Sequence, residues 1–116
     1  MYDKDVDKLD LMFNMQRYLQ QQIAAKHNRY PTATDHRISV ISTAIIHEAV
    51  ELQRLTSWKW WKKHEGLNLT EAKDELIDVL HFVLLAAIEL GMSPIELYQT
   101  YYKKMQENIK RQENNY

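Results

Sequence analysis

The chain of 116 residues contains no cysteine. That excludes disulfide staples and thiolate metal sites together, so any metal must take oxygen or imidazole ligands, and it suits a reducing, cytoplasmic setting. Only two glycines and two prolines are present, too few for a series of hairpins, and no stretch alternates apolar and polar residues with period two. The fold class expected is therefore all-α. An excess of charge is missing as well: the formal net charge is -1, which gives no bias toward nucleic acid, and no nucleic-acid partner is expected. The longest apolar run, Val79 to Ile88, is broken by His81 and falls short of the ~20 residues a membrane span needs. The opening MYDKDVDKLD is acidic and polar, unlike a secretory signal. No membrane partner is expected, and residues 1–116 read as one soluble domain.

What is present is helical periodicity. Val6, Leu9, Met12, Phe13, Leu19 and Ile23 recur at helical spacing and predict a first helix from about Asp5 to Lys26, with Gln16 inside its apolar stripe. HNRYPTATD reads as a connection, because Pro31 disfavours helix at Tyr30 and the candidate N-caps Thr32, Thr34 and Asp35 follow. Ile38, Ile41, Ile45, Ala49, Leu52 and Leu55 carry a second helix to about Trp58. WKWWKKHEGLN then interleaves the three tryptophans with lysines and predicts a partly ordered turn over a site. Asn68 with Glu71 resembles a capping box that opens a third helix, and Gly91 fits its end. Ser93, Pro94 and Glu96 give a start signal for a fourth. Short connections favour an antiparallel four-helix bundle.

The third helix, from Glu71 to Gly91, is apolar around most of its circumference and must be surrounded by other helices. Yet Glu75 and Asp78 lie at its entrance, three residues apart and so on one face. Glu48 and Glu51 repeat that spacing within the apolar stretch AIIHEAVEL. Set antiparallel, the second and third helices can bring all four carboxylates to one interior point, where like charges require a cation. Oxygen cages of this kind take hard divalent ions, and magnesium so held also binds substrate phosphates. Lys59, Lys62, Lys104 and Arg111 could then meet the outer phosphate oxygens. The plainer reading leaves each acidic pair on a solvated face, the tryptophans as core or interface anchors, and Lys104, Asn108 and Arg111 as a solvated basic stripe on the fourth helix.

HEAVELQRLTSWKWWKK, ELIDVLHFVLL and ELYQTYYKKMQENIKRQENNY, with a weaker echo in MQRYL, together resemble the all-α dUTPases of the MazG-like nucleotide pyrophosphohydrolase superfamily. The resemblance implies that Glu48, Glu51, Glu75 and Asp78 bind Mg2+, with Mn2+ as a substitute, and that Glu48 or Glu51 orients or deprotonates a water. That water attacks the α-phosphorus of a nucleoside triphosphate, most simply dUTP, releasing monophosphate and pyrophosphate. It further implies that Lys59, Lys62, Lys104 and Arg111 hold phosphates, and that Gln16, Trp58, Trp61, Asn108 and Tyr116 contact base and sugar. This chain departs from the family pattern at Gln20, Met105 and Asn115, where asparagine, asparagine and glycine are expected, so dCTP or a modified or purine nucleotide is an alternative substrate. It is also shorter than the long dimeric members, and a homodimer or homotetramer would complete core and site.

Two other classes compete. Asp78 and His81 have the carboxylate-x-x-His spacing of di-iron bundles, although those need two copies. A non-catalytic helical interaction module would keep the helices and lose the ligand.

Overall fold

The structure is a computed structural model that describes residues 7–114. Four helices follow in order: α1 Lys8–Lys26, α2 Thr34–Arg54, α3 Leu69–Glu89 and α4 Pro94–Glu113, with no strand among the described residues. The all-α class read from glycine and proline scarcity is therefore the one observed. The expected start of the first helix at Asp5 lies outside the described residues.

Local chemistry explains most boundaries. Asp7, Asn68 and Ser93 each cap a helix by accepting the backbone N–H three residues on, at 3.1, 3.2 and 3.1 Å, and Pro94 occupies the first turn of α4. After α3 the chain closes a Schellman turn: Met92 N–H reaches Ala87 O at 2.9 Å and Gly91 N–H reaches Ile88 O at 3.0 Å. Gly91 takes φ 78°, where a Cβ would be strained. Two boundaries differ from the sequence reading. Ala33 stands at the N-cap of α2 with no side-chain cap, and α2 ends at Arg54 rather than near Trp58. The apolar stripe that suggested the longer helix continues through Leu52 and Leu55, and Leu55 itself closes the last turn by donating to Leu52 O.

The helices α2 and α3 form the main pair, and α1 lies across α3. Two links at opposite ends show that α2 and α3 run antiparallel: Glu48 and Glu51 meet Glu75 at one end, and Arg37 pairs with Glu89 at 3.2 Å at the other. Tyr30 donates its hydroxyl to Glu89 at 3.2 Å, and Arg37 donates to the Pro31 carbonyl while its guanidinium stacks 4.7 Å from the Tyr30 ring. Burial first, then the Glu89 carboxylate, hold the Tyr30 hydroxyl above the usual tyrosine range, with Arg37 and Gln20 opposing. This clasp pins the α1–α2 connection to the end of α3.

Fully buried residues are few. Phe13, Leu84 and Ala87 form the core, with Leu9, Met12, Leu80, Ile88, Met92 and Leu97 packed around it. The expectation that α3 is surrounded is met on one side only, since Leu76, Ile77, Val83 and Leu90 are exposed. The chain bends by 109° between α3 and α4. As a result α4 packs on α1, near Leu9 and Asp10, and buries none of its residues fully.

Candidate active site

The last turns of α2 and the first turns of α3 bring three carboxylates together. One oxygen each from Glu48, Glu51 and Glu75 lies within 4.8 Å of the others. That spread is about twice a Mg–O or Ca–O bond of roughly 2.0–2.6 Å, so one ion could touch all three with little movement. Asp78, one turn beyond Glu75, stays outside this tight group and is exposed, but its charge acts on both Glu48 and Glu75.

Electrostatics opposes full ionisation of the cluster. Burial, then the charges of Glu51 and Asp78, push the Glu48 carboxyl above its ordinary range, while His47 opposes weakly. Burial, then Glu51, Asp78 and Glu48, do the same to Glu75. The Oε2 atoms of Glu48 and Glu75 are occluded and have no hydrogen-bond partner. Buried carboxylate oxygens are ordinarily paired or coordinate a metal. Their donor set, three hard oxygens around one point, fits a divalent cation.

Beside the carboxylates lies a cavity of about 370 Å³, lined by Gln16, Leu19, Gln20, Ile23, Glu48, Asp78, His81, Phe82 and Leu85. Gln16 is buried, and its Oε1 lies 2.9 Å from His81 Nδ1. His81 lies outside the three-carboxylate group, and its contact with Gln16 is the polar partner it has on that side. Gln20 Nε2 is occluded with no partner at hydrogen-bond distance, although its amide acts on the Tyr30 hydroxyl. Gln20, His81 and Phe82 were not among the site residues read from the sequence. The signals that could have found them were the Gln16 to Gln20 spacing of one turn and the His-Phe pair following Asp78.

The connection between α2 and α3 carries Trp58, Lys59, Trp61 and Lys62. Trp58, Lys59 and Lys62 line a second, basic cavity of about 260 Å³ with Arg54, Thr56, Ser57, Lys63 and His64. The Lys59 ammonium sits 5.2 Å from the Trp58 ring centre, and Trp61 meets Trp58 and Trp60 edge-on at 6.3 and 5.8 Å. All three tryptophans remain exposed. Lys104, Asn108 and Arg111 stand exposed on the far half of α4 and line neither cavity. Of the other helices, α4 packs chiefly on α1. Tyr116 lies outside the described residues.

The model of the dUTPase family matches residues 8–97. The chain belongs to the all-α dUTPase family. The matched span holds all four carboxylates and the tryptophan-lysine loop. Two curated relatives are proteins named dCTP pyrophosphatase. That of Enterobacteria phage LZ5 is 30% identical over 145 aligned positions, covering 97% of this chain and 84% of the relative. That of Enterobacteria phage T4 is 31% identical over 144 positions, covering 95% and 83%. No solved structure matches significantly. The dUTPase family assignment makes the protein a nucleoside triphosphate pyrophosphohydrolase, one that splits a triphosphate into monophosphate and pyrophosphate. No single helix among the described residues is long and apolar enough to cross a membrane.

Proposed function

We propose that the protein hydrolyses dUTP to dUMP and pyrophosphate with Mg2+ held by Glu48, Glu51, Glu75 and Asp78. The observation that carries this reading is the pair of occluded, unpartnered oxygens on Glu48 and Glu75 within a three-carboxylate cluster. Mn2+ has the same taste for oxygen and would substitute. When bound, the ion supplies charge to the phosphate oxygens and brings substrate and carboxylates of like sign together. The protein's own residues do the rest. Glu48 lines the cavity and Glu51 does not, which favours Glu48 as the group that accepts the proton of the attacking water. Gln16, held against His81, and the amide of Gln20 would receive the base and sugar. Lys59 and Lys62 would meet the outer phosphates, whose charge on the leaving pyrophosphate they stabilise.

A second substrate, dCTP, is favoured by the two phage relatives with that name. Uracil and cytosine share O2 and differ at N3 and position 4, so an amide donor aimed at O2 accepts either ring. A panel of the common deoxynucleoside triphosphates, assayed for pyrophosphate release with Mg2+, decides between them. Fastest turnover of dUTP supports the first reading, fastest turnover of dCTP the second, and purine preference contradicts both.

The working enzyme is a homodimer or homotetramer in this reading. A protein of 13.9 kDa exposes about 6,700 Å² when compact, whereas this chain exposes 9728 Å². Its radius of gyration is 17.6 Å against about 13 Å for a compact chain of this length. The excess surface includes Tyr101, Tyr102, Met105 and Ile109 on α4 and Leu76 and Ile77 on α3, and it exceeds the ~800 Å² per partner of an ordinary interface. A second copy could also offer its Lys104, Asn108 and Arg111, which line neither cavity of their own protomer. Light scattering at micromolar concentration tests this, and a monomer there would contradict it.

A further inference from the structure

We propose that His64 is the positioning residue of the tryptophan-lysine loop, a neutral clasp that holds the loop shut in the form that meets the triphosphate. The proposal rests on the reading above in which Lys59 and Lys62 bind phosphate. The geometry fixes the state of the ring. Gly66 donates its backbone N–H to His64 Nδ1 at 3.0 Å, and a backbone N–H can only donate. Nδ1 is therefore an unprotonated acceptor, and the ring proton sits on Nε2. That nitrogen lies 2.9 Å from the carbonyl oxygen of Leu55, which can only accept. Both contacts are satisfied by one neutral tautomer and by no other state of the ring.

These two bonds join the ends of one loop. Leu55 closes α2, and Gly66, at φ 101°, leads into the Asn68 cap of α3. Between them the only backbone link inside the loop is the turn from Lys62 N–H to Lys59 O at 2.9 Å. Trp58, Lys59, Trp61 and Lys62 are exposed and have no core to hold them. Their placement consequently depends on the clasp. An imidazolium would set a second N–H against the Gly66 N–H and break one end of it. The charged groups that line the same cavity as His64 are Arg54 from the end of α2 and Lys59, Lys62 and Lys63 from the loop, with Glu65 adjacent in sequence; no residue of α1, α3 or α4 lines it.

The chain's three tryptophans all lie in this loop, so tryptophan emission reports on it alone. The test follows emission, the Gly66 amide signal and the imidazole 15N shifts in the full-length protein from about pH 8 to pH 5, the range in which histidine changes charge. It compares wild type with His64→Asn, whose Oδ1 can still accept from Gly66 without titrating, and with His64→Ala. The expected result is one coincident transition in the wild type and its absence in His64→Asn. With dUTP and Mg2+ at about pH 8, His64→Ala should raise KM about tenfold, the order expected for two lost loop hydrogen bonds, with kcat within about twofold. His64→Asn should recover most of that loss. The same emission transition in His64→Asn would overturn the clasp. An unchanged KM in His64→Ala, with KM raised by Lys62→Ala, would overturn the positioning role while leaving the phosphate reading intact. If Lys62→Ala and Lys59→Ala also left KM unchanged, the phosphate reading of the loop would have failed, and the coupling with it.

Discussion

Divalent metal should stabilise this protein strongly near neutral pH and hardly at all in mild acid, and the sign follows from two side chains. Glu48 and Glu75 are held above their ordinary range by burial and by their acidic neighbours. In the unfolded chain each titrates near about pH 4.3. Folding therefore takes up protons between that value and the raised one. The contribution of these groups to stability is fully present below about pH 4.3 and is lost as pH rises through the raised values. A cation needs both carboxylates ionised, so its affinity runs the other way. For each proton that must leave, affinity weakens about tenfold per pH unit below the folded value. With Mg2+ at a hundred times its Kd, the folding equilibrium shifts about a hundredfold, which is roughly 8–15 °C in Tm for a chain of this size. Thermal melts in EDTA and in excess MgCl2, at steps from about pH 5 to pH 8, should show that increment near neutrality and its collapse toward acid. A magnesium increment that is absent at neutral pH, or equal at every pH, would refute the reasoning.

Arg37→Met should cost about 2–3 kcal/mol, because it breaks a half-buried ion pair to Glu89, a bond to the Pro31 carbonyl and the stacking on Tyr30. Urea unfolding would measure it, and a loss below about 0.5 kcal/mol would show that the clasp is only a surface pair. Phe13→Ala empties the one completely buried large side chain among the described residues and should cost about 3–5 kcal/mol; a loss under about 1 kcal/mol in the same assay would mean that the α1–α3 core lies elsewhere.

Much of this arrangement was legible in the residues. Period-3.6 stripes and the caps at Asn68 and Ser93 located α3 and α4, because a cap is a local bargain between a side chain and an N–H three residues away. The two acidic pairs were legible for a different reason: charges embedded in apolar helices need a shared answer, and an antiparallel α2–α3 pair provides it. The end of α2 was overrun, since apolar spacing through Leu52 and Leu55 continues past the point where the backbone leaves the helix at Leu55. The course of α4 was also beyond pattern reading. Ser93 and Pro94 announce that a helix begins, but the direction it takes after Gly91 is set by Met92 docking on the core. That direction decides whether Lys104, Asn108 and Arg111 reach the carboxylates of their own protomer. Gln20 and His81 were noticed in the sequence, as a departure from the family pattern and as a carboxylate-x-x-His spacing, but their place on the cavity wall depends on how α1 packs against α3, which spacing alone does not show.

The most direct test compares pyrophosphate release from dUTP and dCTP by the wild type and by Glu75→Gln, each with Mg2+ and with EDTA. Removing one ligand and its charge should lower turnover about a thousandfold or more, while melts in EDTA show a fold as stable as the wild type or more so, since one repelling charge has gone. The wild type in EDTA should be equally silent. Turnover by Glu75→Gln at the wild-type rate would contradict the proposal that these carboxylates hold the catalytic ion.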